Sequence, residues 1–288
     1  MSAKPDPVLL VSQSFLRNYG LDCGKRLPEV VREIGLEVVY READSYDGAL
    51  LRIRGIPRGY IVVNAAIRED SRKRFTIAHE CGHFVLPDQQ DLSSPCANEK
   101  IENWSEQLYR PELEANRFAA EILMPRELVS PYLSVEPSMD SVQSIASTCG
   151  ASLTASAFRL VSLTSFRAAL VWSQDKRVRW YKSSPDFTRW IRRGELSDST
   201  FAADCFQSRS VPNRLEPVPA SSWLFQEGLK EDALIWEHST PIPTYRAVLS
   251  VLVMRAPVES KDDNLDTKNF ELEPREFTLN RKRWPSKR

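Results

Sequence analysis

The sequence has no excess of charge of either sign and no long apolar run. Its 288 residues include 39 lysines and arginines and 39 aspartates and glutamates, so the formal net charge is zero. A balanced charge gives no overall attraction to nucleic acid or to acidic lipid. No stretch approaches the roughly 18 uncharged apolar residues that a membrane-spanning helix needs. We therefore expect neither a membrane span nor direct binding to nucleic acid.

Cysteine is scarce, and its spacing is irregular. There are five cysteines, an odd number, and they include no CxxC pair: Cys23, Cys81, Cys96, Cys149 and Cys205. This pattern argues against a disulfide framework and indicates a reducing compartment. The N-terminal segment also lacks the apolar core of a secretory signal peptide. These absences predict a cytoplasmic protein.

Only three histidines are present, and two of them lie four residues apart in the stretch IAHECGHF, residues 77–84. The apolar periodicity predicts a helix over residues 72–85. On a helix, residues four apart differ by about 40° in direction and about 6 Å in rise, so His79 and His83 point the same way. Their imidazole nitrogens can therefore reach one Zn²⁺ at about 2.0–2.1 Å.

Glu80 points in a different direction from these two histidines. It is rotated by about 100° from His79, so it cannot easily join the same coordination. It can instead flank the open position of the metal and accept a proton from a water whose pKa the zinc lowers toward about 7. The spacing thus assigns His79 and His83 as ligands and Glu80 as the base. Because HExxH strings also arise by chance, the hypothesis needs a third ligand.

The helix predicted for PELEANRFAAEILM, which begins at Pro111, can supply that third ligand. Glu112 and Asn116 lie four residues apart on one face of this helix. Glu112 would complete the zinc site, and the Asn116 amide would orient a ligand by hydrogen bonding. Glu114 lies on a different face and is the alternative third ligand, because the spacing excludes neither glutamate.

Three further residues are interpreted as structural. Cys81 lies about 200° around the helix from His79, which predicts a small core residue facing away from the metal. Gly82 is interpreted as allowing another helix to pack closely. His238 lies in the predicted strand ALIWEHS and is interpreted as an ordinary core or surface histidine rather than a ligand.

Both helices carry longer motifs than the metal ligands alone require. The first contains RFTIAHECGH at Arg74–His83, and the second contains ELEANRFAAEILMP at Glu112–Pro125. These strings resemble the ImmA/IrrE family of metallopeptidases, whose pattern is RFTxAHExxH followed by an ExxxN helix that runs into FAAxxLMP. The upstream IVVN, residues 61–64, is similar to the strand that precedes the first motif of the family. The resemblance covers roughly residues 8–165.

The Val-, Ile- and Tyr-rich runs at 36–40, 49–55 and 59–64 predict strands of a small antiparallel sheet. The resemblance implies an α+β, gluzincin-like fold, in which a small sheet packs on helices and zinc lies between two of them. It implies His79, His83 and Glu112 as zinc ligands and Glu80 as the catalytic base. It also implies a protein substrate, because family members cleave helix-turn-helix transcriptional repressors in stress responses or in the control of mobile elements. Members often carry a C-terminal sensor-like module, which resembles a GAF domain in the radiation-response members.

The implied reaction is zinc-assisted hydrolysis of a peptide bond. Glu80 would take a proton from the attacking water and deliver it to the leaving amine. The reaction also needs a group that stabilises the developing oxyanion. Tyr60, Asn103 and Tyr109 are equal candidates for that group.

The composition along the chain predicts four segments. Residues 1–133 are predicted to form the zincin-like peptidase domain, and residues 134–165 a helical segment of helix-turn-helix-like pattern. Residues 166–258 predict a smaller α+β domain, for which a sensor-like role is the hypothesis, and within it FTRWIRRG, residues 187–194, predicts a short helix. Residues 259–288 are rich in charge and proline and are predicted to be disordered.

The alternative function is a zinc-containing regulator that binds DNA or a partner protein and has no peptidase activity. Its support is the stretch SVQSIASTCGASLTASAFRL, residues 141–160, which predicts two short helices around a Cys-Gly turn and could form a helix-turn-helix. The second of these helices contains one basic residue, Arg159. A recognition helix normally needs more basic residues to hold phosphates, so we favour the peptidase.

Overall fold

The computed structural model describes residues 6–53, 57–89, 95–97, 110–225 and 228–255. Within these ranges the chain forms two compact units that meet in sequence between Pro125 and Arg126. The helical residues that follow Pro125 therefore group with the second unit, and the predicted domain boundary after residue 133 stays a prediction. The predicted disordered tail lies outside the described residues. No described helix is both long enough and apolar enough to cross a membrane.

The first unit contains a four-stranded sheet and four helices among its described residues. In chain order these are α1 (Pro7–Tyr19), α2 (Leu27–Glu33), β1 (Leu36–Arg41), β2 (Tyr46–Arg52), β3 (Gly59–Asn64), α3 (Asp70–Val85), β4 (Pro95–Ala97) and α4 (Arg110–Leu123). The strand order is β1-β3-β2-β4. The two helices predicted to carry the metal ligands are α3 and α4.

The fold class is α+β, as the sequence predicts, but the small sheet is mixed and the prediction of an antiparallel sheet is wrong in this detail. β3 lies between β1 and β2, parallel to β1 and antiparallel to β2. The alternation of apolar and polar residues shows which face of a strand is buried, but it does not show which strand is the neighbour. The insertion of β3 between two consecutive strands therefore had no signal in the sequence pattern.

The end of β3 is held to the loop between β1 and β2 by the side chain of Asn64, which is buried. Its Nδ2 donates to the carbonyl oxygens of Ala43, at 2.7 Å, and Tyr46, at 3.0 Å. Its Oδ1 accepts from the backbone N–H of Ala66 at 3.0 Å. One amide thus satisfies several backbone groups of a loop that would otherwise lack partners.

The helices α3 and α4 approach closely because α3 has a glycine at the contact. A Cβ atom placed on Gly82 would lie 3.1 Å from the ring of Phe118 and 3.2 Å from the Cα of Ala115. The interpretation of Gly82 as a close-packing residue is therefore confirmed. Cys81 is fully buried, as expected for a small core residue. The close approach matters because it brings Glu112 toward the histidines of α3.

The second unit is a six-stranded sheet with helices. Its elements are α5 (Arg126–Val129), α6 (Met139–Cys149), α7 (Leu153–Leu163), β5 (Ala168–Gln174), β6 (Arg177–Ser183), β7 (Gly194–Glu195), α8 (Phe201–Phe206), β8 (Glu216–Pro219), β9 (Leu234–Ile242) and β10 (Ala247–Val253). The strand order is β7-β6-β5-β10-β9-β8, with every neighbouring pair antiparallel. Trp223 is among the largest fully buried side chains of its core.

The short helix predicted for residues 187–194 is wrong. This segment is not helical, and Ile191 forms an isolated bridge with Leu224. Phe187 and Ile191 are both buried in the core of the unit. Because these two residues are four apart, they imitate one turn of an apolar helix face, and the periodicity alone could not distinguish the two structures.

Candidate metal centre

Three polar side chains converge between α3 and α4. His79 and His83 lie one turn apart on α3, and their Nε2 atoms are 3.1 Å apart. From α4, Glu112 places Oε2 at 3.4 Å from Nε2 of His79 and Oε1 at 3.7 Å from Nε2 of His83. The three residues are only 0%, 5% and 8% exposed, in that order. Two imidazoles and a carboxylate therefore face one small volume that is shielded from water.

The orientation of His79 is set by Asn116, which is fully buried on α4. The Oδ1 atom of Asn116 lies 2.9 Å from Nδ1 of His79. An amide oxygen can only accept a hydrogen bond, so Nδ1 of His79 carries the hydrogen and donates it. In a neutral imidazole this leaves the lone pair on Nε2, which is the atom that faces Glu112 and His83.

His83 has an equivalent arrangement with a residue that the sequence analysis missed. Its Nδ1 lies 2.6 Å from Oε1 of Gln89, which is fully buried in a 3₁₀ turn, Pro87–Gln89, that follows α3. Nδ1 therefore donates to the amide oxygen, and Nε2 carries the lone pair. Gln89 lies outside the helical periodicity, so the sequence offered no signal for it.

The groups that converge at this centre are suited to binding a cation. Burial, and then the neighbouring His79, lower the pKa of His83, so this imidazole is neutral at neutral pH. Two imidazole nitrogens and the Glu112 carboxylate then face one another at 3.1–3.7 Å, and each of these groups can bind a metal ion. A buried set of this kind is stabilised by a metal ion, and nitrogen and oxygen donors in this number suit a divalent transition metal. The cluster of His79, His83 and Glu112 can hold a metal ion.

Glu80 follows His79 on α3, and its side chain lies against strand β2. It is fully buried, and a Cβ atom placed on Gly48 of β2 would lie 2.9 Å from its Oε1. The same added atom would also clash with the side chain of Thr76, one turn earlier on α3. The glycine therefore leaves room for the Glu80 carboxylate. The sequence analysis missed Gly48, because no pattern shows which strand residue faces a given helix residue.

Comparison with known protein families gives a match over the same elements. Residues 31–161 match the model of a peptidase family that is described as an IrrE N-terminal-like domain. This segment belongs to the IrrE-like peptidase family. The match includes all of α3 and α4, and therefore the converging residues described above. No curated protein shows a significant match to the chain.

The IrrE-like domain places Glu114 away from the pair of histidines. Oε2 of Glu114 accepts from Nε2 of Gln89 at 3.0 Å, and Oε1 accepts from Nε of Arg110 at 2.9 Å. The structure thus brings Glu112, and not Glu114, to His79 and His83. The difference follows from the helical direction of the two residues, which are two positions apart and therefore about 200° apart around α4.

Of the three candidate oxyanion donors, only Tyr60 lies within the described part of the IrrE-like domain. A Cβ on Gly48 would point at Glu80, so this side of β2 faces α3. Val63 of β3 pairs with Gly48, so the side chains of Val63 and Ile61 face α3 as well. Tyr60 alternates with Ile61 and is therefore on the opposite face of the sheet, turned away from the metal centre. Asn103 and Tyr109 lie outside the described residues.

The third histidine of the chain, His238, lies in β9 of the second unit. It is buried, and its Nδ1 accepts a hydrogen bond from the backbone N–H of Met139 at 3.3 Å. Burial lowers the pKa of His238, which favours the neutral imidazole that this bond requires. Its role in the described structure is to hold the start of α6 to the sheet.

Proposed function

We propose that this protein is a zinc-dependent endopeptidase whose substrate is a helix-turn-helix transcriptional repressor. The observation that supports the zinc site is the convergence of two imidazole nitrogens and the Glu112 carboxylate at 3.1–3.7 Å. Glu80 follows His79 on the same helix and is buried. The membership of residues 31–161 in a peptidase family supports hydrolysis of a peptide bond. The two histidines and one glutamate are a ligand set typical of catalytic zinc, which leaves a fourth position open.

In this proposal His79, His83 and Glu112 hold the metal. A zinc ion bound there supplies Lewis-acid chemistry, because it polarises the scissile carbonyl and lowers the pKa of water. The Glu80 carboxylate accepts a proton from the attacking water, whose oxygen forms a bond to the carbonyl carbon. Glu80 then delivers that proton to the amide nitrogen as the carbon–nitrogen bond breaks. The two products are a carboxylic acid and an amine.

The repressor substrate is the finer part of the proposal. It is supported by the resemblance of Arg74–His83 and Glu112–Pro125 to the motifs of the ImmA/IrrE family. Members of that family cut helix-turn-helix repressors and so relieve repression during stress or on mobile elements. We accordingly propose a cytoplasmic regulatory peptidase, in which the second unit has a sensor-like role.

Co-expression of the chain with the repressor encoded beside its gene tests the proposal. The wild-type chain should bind about one zinc ion per molecule and produce a cleaved repressor. Glu80→Gln should keep the zinc and lose the cleavage, because an amide cannot accept the proton. His79→Ala should lose the zinc, whereas Glu29→Gln, on α2, should resemble the wild type. Retained cleavage by Glu80→Gln would exclude its role as the base.

The alternative of a DNA-binding regulator finds little support in the second unit. The helices α6 and α7 are joined through Gly150, whose φ of 61° lets the chain turn sharply between them. The one basic residue of these two helices is Arg159, and it is only 7% exposed. A buried guanidinium cannot contact a phosphate backbone, so these helices present no basic surface for DNA.

A further inference from the structure

Gln89 is a buried polar residue that the motifs of the metal site do not explain. Its side chain reaches His83 of α3 on one side and residues of α4 on the other. We propose that Gln89 is the positioning residue of His83, and that Glu114, held by Arg110, fixes the direction of the Gln89 amide. This inference rests on the proposed metal centre, and it gives Glu114 a function other than zinc ligation.

The direction of the Gln89 amide follows from its partners on α4. Its Nε2 lies 3.0 Å from Oε2 of Glu114 and 3.2 Å from the carbonyl oxygen of Pro111. Both of these oxygens only accept hydrogen bonds, so both require the NH₂ end of the amide. If the amide were reversed, three acceptors would meet without a hydrogen, which is costly in a buried place. Oε1 is therefore turned toward His83.

The fixed amide in turn selects the tautomer of His83. Oε1 of Gln89 cannot donate, so the hydrogen in the 2.6 Å contact belongs to Nδ1 of His83. A neutral imidazole carries one hydrogen, and Nε2 is left with its lone pair directed at His79 and Glu112. Hydrogen bonds to the outer nitrogen of a metal-bound histidine fix the ring orientation and increase its strength as a ligand.

Both ends of this arrangement are anchored. Arg110 donates from Nε to Oε1 of Glu114 at 2.9 Å, which holds the carboxylate in place. On the other side, Nη2 of Arg52, in β2, donates to the carbonyl oxygen of Gln89 at 3.1 Å and also to that of His83. The backbone of Gln89 is thus tied to the sheet, while its side chain is tied to α4.

The two histidines consequently depend on different parts of the chain. Asn116, the partner of His79, comes from the same helix as Glu112 and belongs to the ExxxN motif. Gln89, the partner of His83, comes from the turn after α3 and is outside both motifs. Full coordination by His83 therefore requires that this turn, and not only the two motif helices, be in place.

Zinc affinity tests the proposal without any substrate. In the full chain, Gln89→Leu removes the acceptor at nearly constant volume, and zinc binding measured by competition with a chromophoric chelator should weaken about 10- to 100-fold. The absorption spectrum of the Co²⁺-substituted variant should also change, because the His83 ring is no longer fixed. Gln143→Leu, at an exposed position of α6, is the matched control and should keep wild-type affinity. Wild-type affinity and an unchanged Co²⁺ spectrum in Gln89→Leu would overturn the proposal.

A compensating pair of substitutions tests whether Gln89 acts through its hydrogen bonds or only by filling space. The hydrogen bonds that link Glu114 to Gln89 and Gln89 to His83 are called the relay here. Gln89→Glu places a second carboxylate against Glu114, so zinc affinity should fall. Adding Glu114→Gln supplies an amide that can donate to the new carboxylate, which still accepts from Nδ1 of His83. The double variant should recover most of the lost affinity, whereas a double variant no better than Gln89→Glu would exclude the relay. This comparison remains decisive if Gln89→Leu fails to fold.

The outcomes also separate this inference from the proposed function. If the wild-type chain binds no zinc, the metal centre itself is wrong. If the wild-type chain binds zinc and the Gln89 variants bind it equally well, only the positioning role is wrong. If the wild-type chain binds zinc but does not cleave the repressor, only the peptidase proposal is wrong.

Discussion

The two histidines of the metal centre are each oriented by a hydrogen bond on the side away from Glu112. Asn116 and Gln89 each accept a hydrogen bond from Nδ1 of one histidine, so the Nε2 atoms of His79 and His83 are the ones turned toward Glu112. Glu112 adds a carboxylate to the same volume. At the residue scale, the site is therefore prepared for a cation by hydrogen bonds made on its far side.

Gly48→Ala tests how closely β2 supports the base. The added Cβ would lie 2.9 Å from Oε1 of Glu80 and 2.4 Å from Cγ2 of Thr76, so both side chains have to move. None of the three metal-binding residues is among the atoms that this Cβ would meet. We expect unchanged zinc content and a cleavage rate at least about 10-fold lower, since small misplacements of a reacting group are costly. Leu51→Ala, at an exposed position of the same strand, is the control. A variant that cleaves at the wild-type rate would show that Glu80 tolerates the displacement.

Glu237, in β9 of the second unit, gives a prediction about pH. It is buried and accepts hydrogen bonds from Nε1 of Trp223, Oγ of Ser239 and the backbone N–H of Ala202, each at 2.7 Å. Burial raises its pKa above the usual value of 4.5 despite these bonds. A carboxyl with a raised folded-state pKa contributes stability that is complete below its unfolded-state pKa and is lost as pH rises through the folded-state pKa.

The free energy of unfolding of the second unit should therefore fall as the pH is raised above the usual pKa of Glu237. The variant Glu237→Gln has no carboxyl to ionise at this position. Its free energy of unfolding should therefore decrease less as the pH is raised. Urea denaturation of both proteins at about pH 5 and about pH 8 measures the difference. Equal pH dependence in the two proteins would show that Glu237 ionises in the folded state at no cost.

At the scale of elements, the close contact between α3 and α4 brings the third ligand, Glu112, to the two histidines. Gly82→Val should push Phe118 and Ala115 away, since even one added carbon would lie 3.1–3.2 Å from them. We expect a loss of about 1–3 kcal/mol in the free energy of unfolding, as for other overpacked cores. Zinc affinity should fall as well, because Glu112 moves with α4. Urea denaturation with and without zinc measures both effects, and wild-type zinc affinity in the variant would contradict this geometry.

The elements that carry the metal site could be predicted from the sequence, because α3 and α4 are long, periodic and bounded by proline. The pairing of strands could not, since β3 lies between β1 and β2 and no residue marks the neighbour of a strand. The sequence wrongly predicts a helix at Phe187 and Ile191, because two residues that are buried by tertiary contacts happen to lie four positions apart. Gln89 and Gly48 had no signal, because their importance arises only from contacts across the fold.

At the scale of the molecule, all the converging residues of the metal centre lie in the first unit, whereas the family match continues to residue 161 in α7 of the second. Chelation of the metal should therefore loosen one unit selectively. We expect faster hydrogen exchange in α3 and α4 after chelation and unchanged exchange in β5, β9 and β10. A ligand present at 1,000 times its Kd contributes about 4 kcal/mol to the stability of the folded state.

Peptide-resolved hydrogen exchange, measured by mass spectrometry, checks this expectation. Glu80→Gln should respond to chelation like the wild type, because it keeps the metal-binding residues. His79→Ala should show no response, because it has no metal to lose. An equal response in both units of the wild-type chain would contradict a metal centre confined to the first.

The metal centre joins positions that are distant along the chain, because Glu112 follows His83 by roughly thirty residues, and closing a loop of that length with a covalent bridge is worth ~3–4 kcal/mol. A bound ion would act as a removable cross-link between α3 and α4 in the folded chain. Unlike a disulfide, this cross-link withstands reductants and opens only when the ion is withdrawn. The supply of the metal would then control the amount of folded protein as well as its activity.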